Sequence, residues 1–354
     1  MCSENLRIGV LGGGGFLGSH LVSTLLEETP FFVQAVDLEF EKLDARSARL
    51  EIIEADVSAP GVMEKIVEHC DTIVSTTALC NPSQYNTMPA EVIHASFTHL
   101  VPLVQLCTER HRRLIHFSTC EVYGKTHPEP GTRAGVMSEE TTDLIMGPIH
   151  KERWCYATAK QLLERLIWAH GNHHGLEFSI IRPFNVIGPR MDFIPGVDGD
   201  GVPRVLANFM NALLKGKPLP LVDGGRSRRC FMSVADFVKA VLLVIQKRKK
   251  SKGKIFNVGN PENDVSIERL ANMMISSFEN VTQKPFTHGL FSVSAQDFYG
   301  QGYEDTKERV PDISKAVRLL GWRPEDALAD MLPGIIRDYV QRYSSRLAPG
   351  TCCD

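Results

Sequence analysis

Tyr156 and Lys160 stand four residues apart, a spacing that puts both side chains on one face of a helix. A phenol and an ammonium so placed make a proton-transfer pair. A free tyrosine has a pKa of about 10, and bringing it to about 7 takes roughly 4 kcal/mol. One ammonium at ~4 Å supplies up to about that much at an effective dielectric of about 20. Tyr156 is therefore expected to act as a base near neutral pH, its phenol lowered by Lys160, to which a cationic cofactor ring can add. Thr119, just beyond the apolar run Leu114 to Phe117, would hydrogen-bond the hydroxyl that Tyr156 deprotonates and orient it.

A second constellation lies near the N-terminus. Gly12, Gly15 and Gly18 form a GxxGxxG pattern directly after the run Leu6 to Leu11 and at the start of a helical stretch opened by Phe16 and Leu17. The first two glycines permit a tight turn and close backbone approach, while the helix N-terminus offers free N–H groups and a positive dipole end to a pyrophosphate. Asp37 ends the second apolar run, 19 residues beyond Gly18. A carboxylate there accepts hydrogen bonds from the adenosine ribose and repels a 2′-phosphate, which predicts NAD rather than NADP. Asp56 and Val57, after the third run, are candidate adenine contacts.

These residues need a scaffold that brings strand ends together. Runs at Leu6 to Leu11, Phe32 to Asp37, Leu50 to Glu54, Thr72 to Thr76, Leu114 to Phe117 and Phe178 to Arg182 read as strands. They alternate with helical stretches at Phe16 to Leu26, Glu91 to about Arg110 and Tyr156 to about His170. The pattern predicts an α/β fold, a Rossmann-type doubly wound parallel sheet. After Pro183 the rhythm changes to a Gly-, Pro- and Asp-rich loop at Gly188 to Gly201. Helices follow near Val205 to Leu214, Val234 to Ile245, Ile267 to Phe278, Ile313 to Leu320 and Leu328 to Tyr343, with a strand at Ile255 to Val258. The expected division is a cofactor-binding domain over 1–185, rejoined at about 228–262, and a smaller interleaved substrate-binding domain over 186–227 and 263–345, with a tail at 346–354.

Thirty-nine Lys and Arg against 42 Asp and Glu give a formal charge of −3, so composition offers no global attraction to nucleic acid or anionic membrane. Apolar runs such as Val241 to Ile245 are far short of the ~20 residues that span a bilayer. Nine cysteines, without a CxxC pair, argue for reduced thiols and a cytoplasmic location. His170, His173 and His174 lack a convincing metal-ligand set, and no metal is expected. The run Lys247 to Lys250 reads as a solvated helix end.

Gly12 to Gly18, Asp37, Thr119, Tyr156 and Lys160 together resemble the extended short-chain dehydrogenase/reductase family over nearly the whole chain. Narrower motifs are similar to its UDP-glucuronate decarboxylase branch: Ser118-Thr119-Cys120-Glu121-Val122-Tyr123-Gly124, Arg153-Trp154-Cys155-Tyr156, Arg182-Pro183-Phe184-Asn185, Gly188-Pro189-Arg190-Met191-Asp192 and Asn257-Val258-Gly259-Asn260-Pro261-Glu262-Asn263. Arg113 to Thr126 and Met191 to Gly196 resemble the plant members of that branch, which form both UDP-apiose and UDP-xylose.

The resemblance implies NAD-dependent oxidation at C4 of UDP-glucuronate. The resulting β-keto acid loses its carboxylate as CO2, and ring contraction and re-reduction follow. It implies that Glu121 steers a water or proton near C5, and that Arg309 and Tyr85 face the substrate carboxylate. Arg153, Asn185, Arg204 and Arg229 are carried over as substrate contacts, the arginines suiting diphosphate geometry. The apiose-forming relatives carry thiols at the positions of Cys80 and Cys120, where the lipid-A-modifying decarboxylase has Ala and Ser. These thiols are candidates for the extra proton transfers of ring contraction, the alternative being two buried structural cysteines. The sequence departs from the plant pattern in a shorter segment from His127 to Met146 and in Val186, where the family usually has Trp. The alternatives are a synthase that stops at UDP-xylose or a UDP-4-keto-pentose, a related nucleotide-sugar enzyme, and a catalytically silent NAD-sensing regulator. A homodimer paired through the helix bearing Tyr156 is expected.

Overall fold

The first apolar run forms strand β1 (Arg7–Leu11), buried along all but its first residue, and a glycine turn delivers it into helix α1 (Phe16–Glu28). The computed structural model describes residues 6–125, 135–300, 304, 306 and 308–347, so Cys2, Cys352, Cys353 and most of the expected tail lie outside the described residues. Strands β2 (Phe32–Asp37) and β3 (Leu50–Glu54) follow as the sequence predicts. Helix α2 (Val62–His69) is an addition. Its buried Met63, Ile66 and Val67 carry the i, i+3, i+4 signature of one apolar face, on a helix of only two turns.

After β4 (Thr72–Ser75) come α3 (Pro82–Tyr85), α4 (Pro89–Ser96) and α5 (Val101–Glu109), with a 3-10 turn at Thr98–Leu100 between the last two. The single helix expected from Glu91 to about Arg110 is thus broken. Pro102 has no N–H to give and its ring crowds the preceding turn, so it is disfavoured in a helix interior and falls in the first turn of α5. Then come β5 (Arg113–Phe117), the short β6 (Val136–Met137), α6 (Cys155–His174), β7 (Phe178–Pro183) and β8 (Val186–Ile187). Helix α6 ends at Gly175, whose φ of +76° is a left-handed cap.

The remaining elements are α7 (Val205–Leu214), β9 (Leu219–Val222), β10 (Arg228–Cys230), β11 (Met232–Ser233), α8 (Val234–Gln246), α9 (Arg248–Ser251) and β12 (Lys254–Val258). They are followed by β13 (Asp264–Ser266), α10 (Ile267–Thr282), β14 (Leu290–Val293), α11 (Ala295–Tyr299), β15 (Val310–Pro311), α12 (Ser314–Leu320) and α13 (Leu328–Tyr343). Among the described residues, no helix is long and apolar enough to cross a membrane. The basic run is a helical turn rather than a free end: Lys247 Nζ donates to Leu320 O at 2.6 Å and Arg248 pairs with Glu177 at 2.5 Å.

Seven strands make one sheet in the order β12-β7-β5-β4-β1-β2-β3, every neighbour parallel. β1 lies between β2 and β4, so the chain reverses its direction of winding there, and the loops at the C-terminal ends of β1 and β4 diverge to open a crevice. Apolar clusters cover both faces. One joins Ile8, Val10 and Ile115 to α1 and α8, and the other joins Ile73 and Leu114 to Leu163 and Ile167 of α6. Buried Arg113 anchors the first cluster by donating to Val244 O at 2.7 Å and Ile245 O at 2.9 Å, which satisfies carbonyls at the C-terminal end of α8.

Candidate active site

A cavity of about 750 Å³ opens at the C-terminal edge of the sheet. The glycine turn sits at one end. A Cβ on Gly12, whose φ is +85°, would lie 2.3 Å from Thr76 Oγ1, and one on Gly18 would lie 1.9 Å from Gly12 O, so the fold itself requires both glycines. Gly15 is different. Its φ is −70°, and a Cβ there would meet nothing in the protein nearer than Gly12 O at 3.4 Å. Glycine at this position serves the approach of something other than the chain. Helix α1 also begins without a side-chain cap or an acidic residue in its first turn, which leaves its N–H groups to an anionic ligand. Asp37 is fixed beside the turn, accepting from Gly14 N at 2.9 Å and Leu38 N at 2.8 Å. These residues fit a dinucleotide pyrophosphate and ribose. Phe16 and Leu17 line the cavity, whereas Asp56 and Val57 do not. Asp56 is exposed and accepts from Ser58 N and Ser58 Oγ at 2.7 Å each, bonds that hold its carboxyl below the usual range.

Tyr156 and Lys160 share a face of α6 and both line the cavity. Within the chain alone, their electrostatics run opposite to a phenol lowered by Lys160. Burial pushes the Tyr156 phenol well above its ordinary value, and Cys80 and Glu121 push it further. Lys160 is itself lowered to about 8 by burial. The physical reason is where the ammonium goes: Lys160 Nζ donates to Phe117 O at 3.0 Å and Thr77 O at 3.5 Å, at the ends of β5 and β4. Tyr156 stacks on Tyr85, with ring centroids 5.2 Å apart and planes 13° from parallel. Thr119 caps a 3-10 turn, Cys120–Tyr123, by accepting from Glu121 N at 3.1 Å, which leaves its own O–H to donate into the cavity.

That turn delivers Glu121 between two buried guanidiniums. Arg153 Nη1 donates to Glu121 Oε2 at 2.7 Å, and Arg309 Nη1 stands 3.6 Å from Oε1. Arg153 also lies over the Tyr85 ring, 5.2 Å from its centroid. Arg309 arrives from the far end of the chain by pairing of β15 with β6, in which Val310 N donates to Gly135 O at 2.8 Å. Its Nε donates to Thr306 Oγ1 at 2.6 Å. Cys80 is exposed on the cavity wall and Cys120 is buried in it, its thiol pushed up by burial against the opposing pull of Arg309.

At the other end of the cavity Asn185 holds a φ of +38° and donates to Cys230 O at 3.2 Å. Arg204, at the start of α7, is clamped by Asp192 through its backbone N at 3.0 Å and Nε at 3.1 Å. Arg229 donates to Arg228 O at 2.7 Å. All three line the cavity, as do Tyr85 and Arg153. Residues that the motifs did not single out complete this end: Arg226, Phe298 and Tyr299. The last two form an edge-to-face aromatic pair with centroids 4.7 Å apart on α11. A five-residue helix gives too short a period to be read as an element, and the signals that could have found it are the Ser294–Asp297 capping pair and Gly300 at its end.

Proteins similar to this chain are known along nearly its full length. The chain is 43% identical to UDP-D-apiose/UDP-D-xylose synthase 1 of Arabidopsis thaliana over 98% of its own length and 95% of that protein's. It is 45% identical to the UDP-D-apiose/UDP-D-xylose synthase of Oryza sativa subsp. japonica, over 92% and 87% of the two chains. Among solved structures, the PbgP3 protein from Burkholderia pseudomallei superposes with a TM-score of 0.84 at 30% identity, covering 97% of this chain and 98% of that one. The UDP-glucuronic acid 4-epimerase of Bacillus cereus, in complex with UDP-glucuronic acid and NAD, shares the fold with a TM-score of 0.76 at 23% identity over 96% and 100% of the chains. The profile of the NAD dependent epimerase/dehydratase family matches residues 8–259. With the glycine turn, Asp37 and the Tyr156–Lys160 helix all inside or beside that span, the chain belongs to the NAD dependent epimerase/dehydratase family.

Proposed function

We propose that the protein converts UDP-glucuronate to UDP-apiose and UDP-xylose by oxidation at C4, decarboxylation, ring contraction and re-reduction. The observation that carries this reading is Glu121 held between Arg153 and Arg309 in the cavity that also contains Tyr156, Cys80 and Cys120. An epimerase needs the tyrosine and the cofactor but no such carboxylate between cations. The names of the plant relatives support the same products.

Gly12 to Gly18 and Asp37 would hold NAD, which when bound supplies a hydride acceptor, later the donor, and a positive ring near the phenol. Thr119 donates a hydrogen bond to the C4 oxygen, and Tyr156, raised by burial in the chain alone and lowered by the cationic ring that bound NAD would place beside it, would take the C4 hydroxyl proton. Arg309, with Tyr85 beside it, receives the uronate carboxylate. Two buried cations bind that anion together with Glu121, and the carbonyl formed at C4 accepts the electrons that CO2 leaves behind. Glu121 then guides the proton that C5 takes up. Ring contraction requires cleavage between C2 and C3 and a new aldol bond, and the thiols of Cys80 and Cys120 exchange the protons that those steps release and consume. Asn185, Arg204 and Arg229 hold the UDP portion.

In this reading residues 1–185 and 228–262 serve the cofactor, and 186–227 and 263–345 serve the nucleotide sugar. Half-exposed Leu162 and Trp168 on α6, with Met88 and Ile93 near and on α4, support pairing of two copies through these helices. The described cysteines are all free thiols, which supports a cytoplasmic location. Proton NMR of the products formed from UDP-glucuronate and NAD tests the function. Both pentoses are expected. UDP-xylose or a UDP-4-keto-pentose alone would favour the simpler synthase that Val186 in the cavity wall allows, and absence of CO2 would reject the reading.

A further inference from the structure

Behind Lys160 lies a set of buried polar atoms with no protein partner: Ser75 Oγ, Thr77 Oγ1, His116 Nε2 and Ser118 Oγ. They are not scattered. Ser75 and His116 are direct register partners on β4 and β5, so their side chains leave the same face of the sheet. Two residues below them, Ile73 and Leu114 occupy that face and pack with Leu163 and Ile167 of α6. Thr77 and Ser118 follow two residues above, and Ser118 lines the main cavity. Lys160 projects from α6 onto the top of this column, its ammonium on the carbonyl of Phe117, which stands between His116 and Ser118 in the chain, and on that of Thr77 itself. Ser75, His116 and Ser118 are each at most 4% exposed.

Leaving four polar groups dry in an apolar layer would cost each of them a desolvation penalty of about 1–3 kcal/mol. Buried groups of this kind are met by ordered water, which needs two to four polar partners within reach. We propose that Ser75, Thr77, His116 and Ser118 enclose ordered water that hydrogen-bonds the Lys160 ammonium from behind, making His116 a positioning residue for Lys160.

The titratable groups around this cell are few. Lys160 and Glu164 come from α6, Glu164 being paired with Arg182 of β7 at 2.6 Å, Cys107 comes from α5, and Cys80 and Tyr156 stand at the cavity end. Burial and the Lys160 charge hold His116 well below its ordinary value, so it meets the water as a neutral imidazole. A neutral acceptor and water together solvate a cation that burial otherwise disfavours.

The proposal rests on the active-site role of Lys160, but its test does not need turnover. In a crystal structure of the NAD-bound protein, ordered water is expected within hydrogen-bond distance of both His116 Nε2 and Ser75 Oγ. In the folded protein, His116→Leu should move the Lys160 titration, read from its Nζ signal by NMR, to lower pH by about one unit, a tenfold change in proton affinity. His116→Asn, which keeps a neutral hydrogen-bonding group, should restore most of it. A dry cell at high resolution overturns the proposal, and so does an unmoved Lys160 titration in a folded His116→Leu protein. The wild-type density decides alone if the leucine variant does not fold. Failure to turn over UDP-glucuronate would count against the proposed function and leave both readouts intact.

Discussion

Arg153 reaches Glu121 with a 2.7 Å hydrogen bond while its guanidinium lies flat enough over Tyr85 to bind the ring that stacks on Tyr156. One buried cation therefore fixes the carboxylate and the phenol relative to each other. Replacing Arg153 with Met strands Glu121 beside Arg309 at 3.6 Å and removes the cover of Tyr85. Breaking a buried pair from one side is expected to cost about 3 kcal/mol of stability in urea denaturation. Glu121→Gln with Arg153→Met together should cost less than the sum of the two, a coupling that a double-mutant cycle measures.

Gly15 and Gly18 should respond oppositely to alanine. Gly15→Ala is expected to fold with an unchanged melting temperature and to bind NAD at least tenfold more weakly by calorimetry, since the protein itself leaves room for the methyl. Gly18→Ala drives its Cβ to 1.9 Å from Gly12 O and should destabilise the fold before any ligand is added.

Lys160 makes stability depend on pH in the alkaline range. Folded it titrates at about 8, whereas in an unfolded chain a lysine titrates at about 10.4. Between those values the unfolded state binds more protons, so stability rises with pH across that window. In the ligand-free protein, wild type should gain about 3 kcal/mol relative to Lys160→Met on going from about pH 8 to about pH 10.5, measured by denaturant titration. A gain short of this measures the extra solvation that the water proposed behind the ammonium supplies.

Cys80 is expected to decide the product. Cys80→Ser should keep CO2 release within a few-fold of wild type and lower the share of UDP-apiose at least tenfold, a serine hydroxyl being a far weaker acid than a thiol. An unchanged ratio of the two pentoses by NMR would remove Cys80 from ring contraction.

Glu304 ties the segment that carries Arg309 to the opposite wall. It pairs with Lys125 at 2.5 Å, accepts from Trp154 Nε1 at 3.2 Å and stands 3.9 Å from Lys151. Exposed pairs contribute up to about 1 kcal/mol each and weaken with salt. Glu304→Gln should raise KM for UDP-glucuronate about fivefold with kcat little changed, and should flatten the dependence of KM on ionic strength.

The glycine turn, Asp37 and the YxxxK helix were legible because each is a local device: the strand, the turn and the helix that position these groups are contiguous in sequence. The strands were legible for the same reason, since parallel strands buried on both faces read as apolar runs. What local pattern did not carry was electrostatic sign. Four-residue spacing says that Tyr156 and Lys160 share a face, but not that the ammonium is drawn to the carbonyls of Phe117 and Thr77, strand ends that α6 meets only in the folded sheet. The Asp56 turn is local as well, its carboxylate accepting from Ser58 two residues on. The break between α4 and α5 was written in Pro102 and hidden by the helical period on either side.

Pairing of β15 with β6 brings Arg309 to Glu121 across 188 positions of chain. During synthesis the glycine turn and the strands around β1 emerge long before the guanidinium that faces the carboxylate. A chain cut short before Arg309 would lack both the strand pairing and the cation that faces Glu121. On the proposed function, decarboxylation would thereby be reserved for chains made almost to their last helices.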